Sequence, residues 1–587
     1  MSSLMFSKKK NNESDSSTSA NKVVKSAKHA DKEQKSQHID ISTVAKARTW
    51  VSSLPLTDMG ETTRQLFIGL TQFNQEPIAP QTRIDITEVV LPYVKMVLEN
   101  LDRHFLSRSF PLPERSQKIF DLKKSLLMET AGSYQLAALE MLTKRSVSKK
   151  RLLLSIDRAI KYMSQVLMNG YDVYAKHDQT IWHDMHHLFL LASENKLEKK
   201  VAPNKDDAHE DRMSISDHYI LINLIALAAP NTLRQGEIKR IEEFFKICLK
   251  DVSLLSNASS LKAKYAHIAL LNSDEPASLM PVSDLVNSPT SRIFDLSKVI
   301  NHLDQFVSLS AQSDLGTHDK WPMLNHSLAK RLVYVLTTIR NRRYKRFSRE
   351  EKLSMAIRMS DVIEMIREND VDSFSAQINE SVEEDNIYEA LANEEGISSP
   401  WTEVDLDMLA EDRDVKLHSW QIENSSSGGY GLRQVKSEKS SARVGELVAV
   451  KDPKDEADQW QIAVIRWMDS FRGIGLKIGL EILSLHGMMV QVDEINNREI
   501  SQQLPLEGIL LPTIDGARKE ANLIFPGFIF QVDDELTLTV GKRQQHIRIT
   551  SVDDTVGSFS YCGYDNREVE EVVDGSLEAF EDVWEFL

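Results

Sequence analysis

The hydrophobic period of the chain changes twice. Over residues 42–340 apolar positions recur at three- and four-residue steps. Leu152, Leu153, Ile156, Ala159, Ile160, Met163, Val166 and Leu167, for example, fall on one face, as a 3.6-residue turn requires. Similar stripes occupy residues 62–73, 86–106, 116–142 and 237–249. Asn231, behind Pro230, suits a helix cap. Glycines are rare here and strand-like alternation is absent, so this stretch reads as an all-α array of roughly ten helices without a defensible repeat period.

After Arg349 the period becomes two. Leu353, Met355, Ile357 and Met359 alternate with Ser354, Ala356, Arg358 and Ser360, the pattern of a strand with one buried face. Strand patterns continue at 443–450, 460–467, 476–482 and 488–492. In the third of these, Leu476, Ile478, Leu480 and Ile482 take one face, and Lys477, Gly479 and Glu481 the other. Short strands, tight turns and no long helix between them predict a small antiparallel barrel over residues 341–500. A further set at 508–511, 523–525, 535–540, 546–550 and 558–562 predicts a second β module over 501–587, ending in an acidic tail. The fold class is therefore multidomain α+β: an all-α domain over 42–340, then two β modules.

Composition adds two segments that cannot bury enough surface to fold. Residues 1–41 are rich in Ser, Asn and Lys and read as a disordered, solvated tail. Residues 368–414 hold sixteen acidic side chains against one basic, Arg413. They read as a flexible insertion with a short helix near 387–392. The net charge of −16 argues against bulk DNA or RNA as partner, while a small anion can still be held where arginines cluster. Two cysteines, Cys248 and Cys562, make neither a disulfide framework nor a zinc knuckle and suit a reducing, cytoplasmic setting. The most apolar stretch, 219–230, is about half the length that spans a bilayer, and the first residues lack a signal-peptide core. No membrane span is expected.

Two short elements carry chemistry. Arg342-Arg343-Tyr344-Lys345-Arg346 holds an RxxxR at Arg342 and Arg346, ahead of the 353–359 strand. Residues 424–429 read Asn-Ser-Ser-Ser-Gly-Gly, an NxSxxG at Asn424, Ser426 and Gly429. Taken singly, the first suits a helix end, where cations are favoured, and the second suits a flexible turn. Together, in this order and among these strands, they resemble the PilZ signature. That family binds cyclic di-GMP. By this resemblance Arg342, Arg343 and Arg346 form a mobile clamp, and Asn424, Ser426 and Gly429 the barrel face. Guanidinium forks suit phosphates and the guanine O6/N7 edge, and their planes stack on bases. One departure from the pattern is the separation of 78 positions between Arg346 and Asn424, which the acidic insertion accounts for if it loops out.

Other chemistry is weaker. His183 and His187 stand at i and i+4, as in a zinc-hydrolase helix, but Asp184 replaces the expected Glu and no third ligand is evident. No Gly-x-Ser-x-Gly elbow or phosphate-binding P-loop occurs. The sequence thus predicts a cytoplasmic cyclic di-GMP receptor or adaptor without catalytic activity, cofactor or metal. Its helical region binds a protein partner, and ligand capture orders residues 342–349. The alternative is a nucleotide-independent scaffold with a degenerate PilZ domain.

Overall fold

The computed structural model describes residues 39–104, 110–143, 148–177, 180–203, 212–256, 264–284, 290–310, 321–339, 345–369, 416–434, 440–454, 459–471, 475–496, 498–499, 506–512, 521–527, 529–540, 543–553 and 555–566. Eight helices come first: α1 (Val44–Ser52), α2 (Met59–Gln75), α3 (Pro80–Asp102), α4 (Glu114–Leu142), α5 (Lys149–Asp172), α6 (Ile181–Glu194), α7 (Ile215–Leu227) and α8 (Glu237–Cys248). The stripe read from 152–167 is the buried face of α5, which packs against α4 and α7. Caps fix the starts of several helices. Asp58 accepts from Glu61 N on α2, and Ser214 with Asp217 forms a capping box on α7, satisfying amides that have no partner inside a helix.

The helical region is not helical throughout. Four antiparallel strands, β1 (Ser253–Leu255), β2 (Tyr265–Leu270), β3 (Ser278–Pro281) and β4 (Ser291–Asp295), form a sheet in the order β1-β4-β2-β3. This corrects the all-α reading of 42–340. Ala266, His267, Ile268 and Ala269 are buried in succession, because both faces of β2 are covered, and the alternation that marks a strand disappears. The loop after β2 serves the helices: Asp274 accepts from the amides of Thr180, Trp182 and His183 at the start of α6. Asn231 lies in a 3-10 turn rather than at a helix cap, and its amide donates to Asp469 at 3.3 Å. Helices α9 (Ser297–Ser310) and α10 (His326–Thr337) complete the region.

The first barrel comprises β5 (Phe347–Ser348), β6 (Lys352–Ile357), β7 (His418–Ser426), β8 (Gly429–Gln434), β9 (Leu447–Lys451), β10 (Gln461–Phe471) and β11 (Gly475–Ser484). Six strands close in the order β7-β6-β9-β10-β11-β8, with β8 returning to β7, and β5 extends the β6 side of β7. Its core includes Leu353, Trp420, Ile422, Leu432, Ile465 and Ile478. Phe110, Leu112, Phe120, Val173 and Tyr174 of the helical region are buried in the same core. Ser470 N donates to Tyr174 O at 2.7 Å, so the helical domain stoppers one end of the barrel.

The 353–359 strand ends early, at Ile357. Arg358 turns at φ +93°, and α11 (Met359–Asn369) begins. Val362, Ile363, Met365 and Ile366 of α11 pack with Ala356, Ala449 and Ile462 of the first barrel and Met489, Ile509 and Ile524 of the second. The second barrel holds β12 (Met488–Ile495), β13 (Arg498–Glu499), β14 (Leu506–Leu511), β15 (Asn522–Pro526), β16 (Glu535–Val540), β17 (Arg543–Asp553) and β18 (Phe559–Asn566). It closes as β12-β14-β15-β18-β17-β16. Residues 488–492, expected as the last strand of the first module, therefore open the second. Their pattern is the same in either place, and pairing with β14 and β16 decides the matter. The tail at 1–38, the acidic segment from 370 to 415 with its expected helix at 387–392, and the acidic tail from 567 lie outside the described residues. Among the described residues no helix is long and apolar enough to cross a membrane.

Candidate functional site

One half of the first barrel's exterior is covered by α11 and the second barrel. The other half, formed by β7, β8 and β11, is polar and paved with glycine. Ile422 and Leu432 point inward, and a bulge between Ile422 and Asn424 re-aims β7. Asn424 then pairs with Gly431, and Ser426 with Gly429. On the next strand Gly431 pairs with Gly479, Gly429 with Glu481, and Arg433 with Lys477. Trp467 of β10 pairs with Gly479. A single row thus runs Asn424, Gly431, Gly479, Trp467 across four strands.

The glycines are required by what lies on them. A Cβ on Gly431 would sit 2.8 Å from the Asn424 amide, and one on Gly479 would run into the Trp467 indole. The amide and the indole therefore lie down on the glycine floor from opposite sides. Gly429 has φ +155°, and a Cβ there would collide with the Leu480 carbonyl. Asn424 Oδ1 is buried and, among the described residues, accepts no hydrogen bond. Buried polar atoms in native folds are nearly always satisfied, so this one is poised for a donor from outside the chain. Ser426 Oγ makes a long 3.4 Å bond to Gly429 O.

The basic element meets this face through the short strand β5. Phe347 pairs with Ser425 and Ser348 with Asn424, which brings the exposed Arg346 to the rim beside Ser426. Arg342 and Arg343 lie outside the described residues. Arg349, expected at the end of a mobile segment, is instead fixed. Its guanidinium donates to Asp452 Oδ2 at 2.6 Å and Oδ1 at 2.9 Å, and to Glu351 at 3.1 Å. Burial pushes the Asp452 carboxyl up, but the Arg349 fork, the Lys454 amide and the Tyr430 hydroxyl together hold Asp452 below the usual carboxylate range. Tyr430 OH also donates to Asp452. The anchor lies just downstream of Arg346, so the start of β5 is held on the barrel.

Charge on the face is mixed. Glu423 lies 2.7 Å from Lys477 and 3.6 Å from Arg433, and Arg466 lies 2.5 Å from Glu481. Gly431, Gly479, Trp467 and the anchor Arg349 escape a reading built on motifs. Gly479 between Lys477 and Glu481 was visible on the polar side of its strand, but its partners depend on register. On α6, His183 and His187 are exposed, while the buried His186 is bonded to Glu275 O at 2.9 Å and Tyr219 OH at 2.7 Å. Among the described residues no three His, Cys, Asp or Glu side chains gather as a metal site.

A closed six-stranded antiparallel barrel with NxSxxG on one hairpin and a basic stretch led in beside it is the arrangement of a PilZ domain, and the chain carries a match to such a domain over residues 363–488. Its domain order is that of a particular member. Residues 45–259 match the family described as the cyclic-di-GMP receptor FimW N-terminal domain, 363–488 its middle PilZ domain, and 492–566 the FimW C-terminal β-barrel domain. The chain is also similar to the cyclic-di-GMP receptor FimW of Pseudomonas aeruginosa, with 24% identity over 556 residues, 88% of this chain and 90% of that protein. No solved structure matches the chain. The PilZ match begins inside α11, after Arg346 and β6.

Proposed function

We propose that this protein is a cyclic di-GMP receptor that binds its ligand on the β7/β8/β11 face and carries no catalytic activity. The observation that carries the reading is the pairing of β5 with β7, which brings Arg346 beside a motif that begins 78 positions later. Arg346, with Arg342 and Arg343 upstream, supplies forks for phosphate or for guanine O6 and N7. Asn424 offers its orphaned amide to a guanine edge, Ser426 a hydroxyl, and Gly429 close backbone approach. The similarity to FimW along nearly the whole chain supports the same ligand. The receptor acts in the cytoplasm as an adaptor, and its helical region holds a protein partner whose response follows occupancy of the barrel.

Calorimetric titration of the full chain tests this. Cyclic di-GMP binds with nanomolar to micromolar strength, roughly −8 to −12 kcal/mol, and GTP does not compete. Absence of heat, and of displacement of a fluorescent analogue at high micromolar ligand, would end the reading.

A further inference from the structure

We propose that the cyclic di-GMP site does not stop at the barrel but continues into the cleft where all three domains meet, so that α10 of the helical domain grips the bound nucleotide directly. This rests on the reading that the barrel face binds this ligand.

The cleft has a volume of about 800 Å³. The first barrel lines it with Arg466, Trp467 and Glu481, α10 with Lys330 and Tyr334, and the second barrel with Val556. It is continuous with the candidate face. Glu481 pairs with Gly429, which pairs with Ser426. Trp467 pairs with Gly479 and, through Gly431, reaches Asn424. Two to three strand spacings, about 10–15 Å, separate the motif from the cleft wall. Ile339, just beyond α10, is also part of that wall, and six residues later the chain reaches Lys345 and Arg346 at the opposite rim. The two ends of the arginine-bearing segment thus flank the same surface.

The chemistry of the walls suits a purine nucleotide. The lining includes Arg234, Lys330, Arg331 and Arg466 against one carboxylate, Glu481, in a chain whose net charge is −16. Three of these cations are committed: Arg331 pairs with the buried Glu237 within the helical domain, Arg234 donates to Gly557 O of the second barrel, and Arg466 pairs with Glu481 and donates to Val556 O. Lys330 differs: its side chain is 53% exposed and lies 4.0 Å from Asp553, so it can turn to a phosphate at little cost. Tyr334 is 55% exposed on the same face of α10, and Trp467 lines the same cleft. Aromatic faces beside cations stack and neutralise nucleotides without reading sequence.

A ligand that touches both bodies binds the docked arrangement better than the separated one. Occupancy then favours docking by that difference in affinity. This gives the helical domain a direct sensor in α10, independent of the shared core at Phe110 and Tyr174.

The test is titration of the full chain with cyclic di-GMP, comparing wild type with Arg346→Ala, Lys330→Glu, Lys330→Arg and Tyr334→Ala, with melting temperatures measured on each. Lys330 and Tyr334 are exposed, so their variants fold. The expected result is binding weakened at least about fivefold in Lys330→Glu and Tyr334→Ala at unchanged melting temperature, with Lys330→Arg within about twofold of wild type. Wild-type binding that falls in Arg346→Ala but is unchanged in both α10 variants would overturn the extension and leave the barrel site standing. No binding by wild type would overturn both.

Discussion

The two β-barrels of this chain close six strands each in antiparallel pairing, and each adds one two-residue strand at its edge. They share a seam filled by α11. Yet the extra strands do different things. In the second barrel β13 folds back on β12 and extends a hairpin. In the first, β5 arrives from the helical domain, is riveted by Arg349 to Asp452, and lays Arg346 beside Asn424 and Ser426. The glycines differ as well. Gly508 of the second barrel makes room for Phe525, whose ring lies in the core. Gly431 and Gly479 of the first make room on its outside for an amide and an indole. On the proposed reading the same scaffold is a site in one copy and a packing partner in the other, because function resides in the groups grafted on a fold.

A methyl group placed at Gly429 should separate the two barrels most. Gly429→Ala must move the Leu480 carbonyl and adopt a backbone that L residues avoid, costing about 3 kcal/mol and abolishing cyclic di-GMP binding. In the second barrel Gly527→Ala, with φ +72° but nothing within 4 Å, costs about 1 kcal/mol and leaves affinity unchanged. Chemical denaturation and titration of the same two variants check both statements.

Arg346→Ala should weaken binding about ten- to hundredfold, the loss of charge-assisted hydrogen bonds worth roughly 1.5–3 kcal/mol, without changing the denaturation midpoint. Arg346→Lys should recover part of that, since the charge remains and the planar fork does not. A helix-end role would give the opposite, a small loss of stability and unchanged affinity.

A third difference lies in pH. Burial pushes Glu446, beside the seam in the first barrel, up from 4.5 to about 7. Between those values the folded state keeps a proton that the unfolded chain has released. Stability therefore falls as pH rises through this window and levels off above it. Glu446→Gln should flatten part of that slope and be more stable at pH 8, by on the order of 1–2 kcal/mol. The buried Cys562 thiol of the second barrel, pushed up to about 12, stays protonated across the same range and adds no slope. Smallest of all, Arg548→Ala on the second barrel breaks an exposed pair with Asp533 and should cost under about 0.5 kcal/mol, with no effect on ligand.

The sequence made much of this plain where one face of an element is wet. The α5 stripe, the alternating strands and the two motifs all follow from single-face burial or from polar side chains at fixed spacing. It failed where elements are covered on both sides or where pattern is shared. The strand β2 lost its alternation to double burial. The helix α11 was hidden because a strand pattern ran to Met359, although a left-handed Arg358 ends it at Ile357. The motif residues Asn424, Ser426 and Gly429 could be named from spacing, whereas Trp467, Gly431 and Gly479 join them through barrel register, and Arg349 through an ion pair across 103 positions. Register and long-range pairing are properties of the closed sheet rather than of any segment.

The central claim is that the first barrel, through β7, β8 and β11, is the ligand-binding copy. Amide hydrogen exchange on the full chain, with and without saturating cyclic di-GMP, tests it most directly. The account predicts slower exchange at Phe347–Ser348, across His418–Gln434 and in Gly475–Ser484, with Leu506–Leu511 and Glu535–Val540 unchanged. Protection confined to the second barrel, with β7 and β8 exchanging as before, would contradict it.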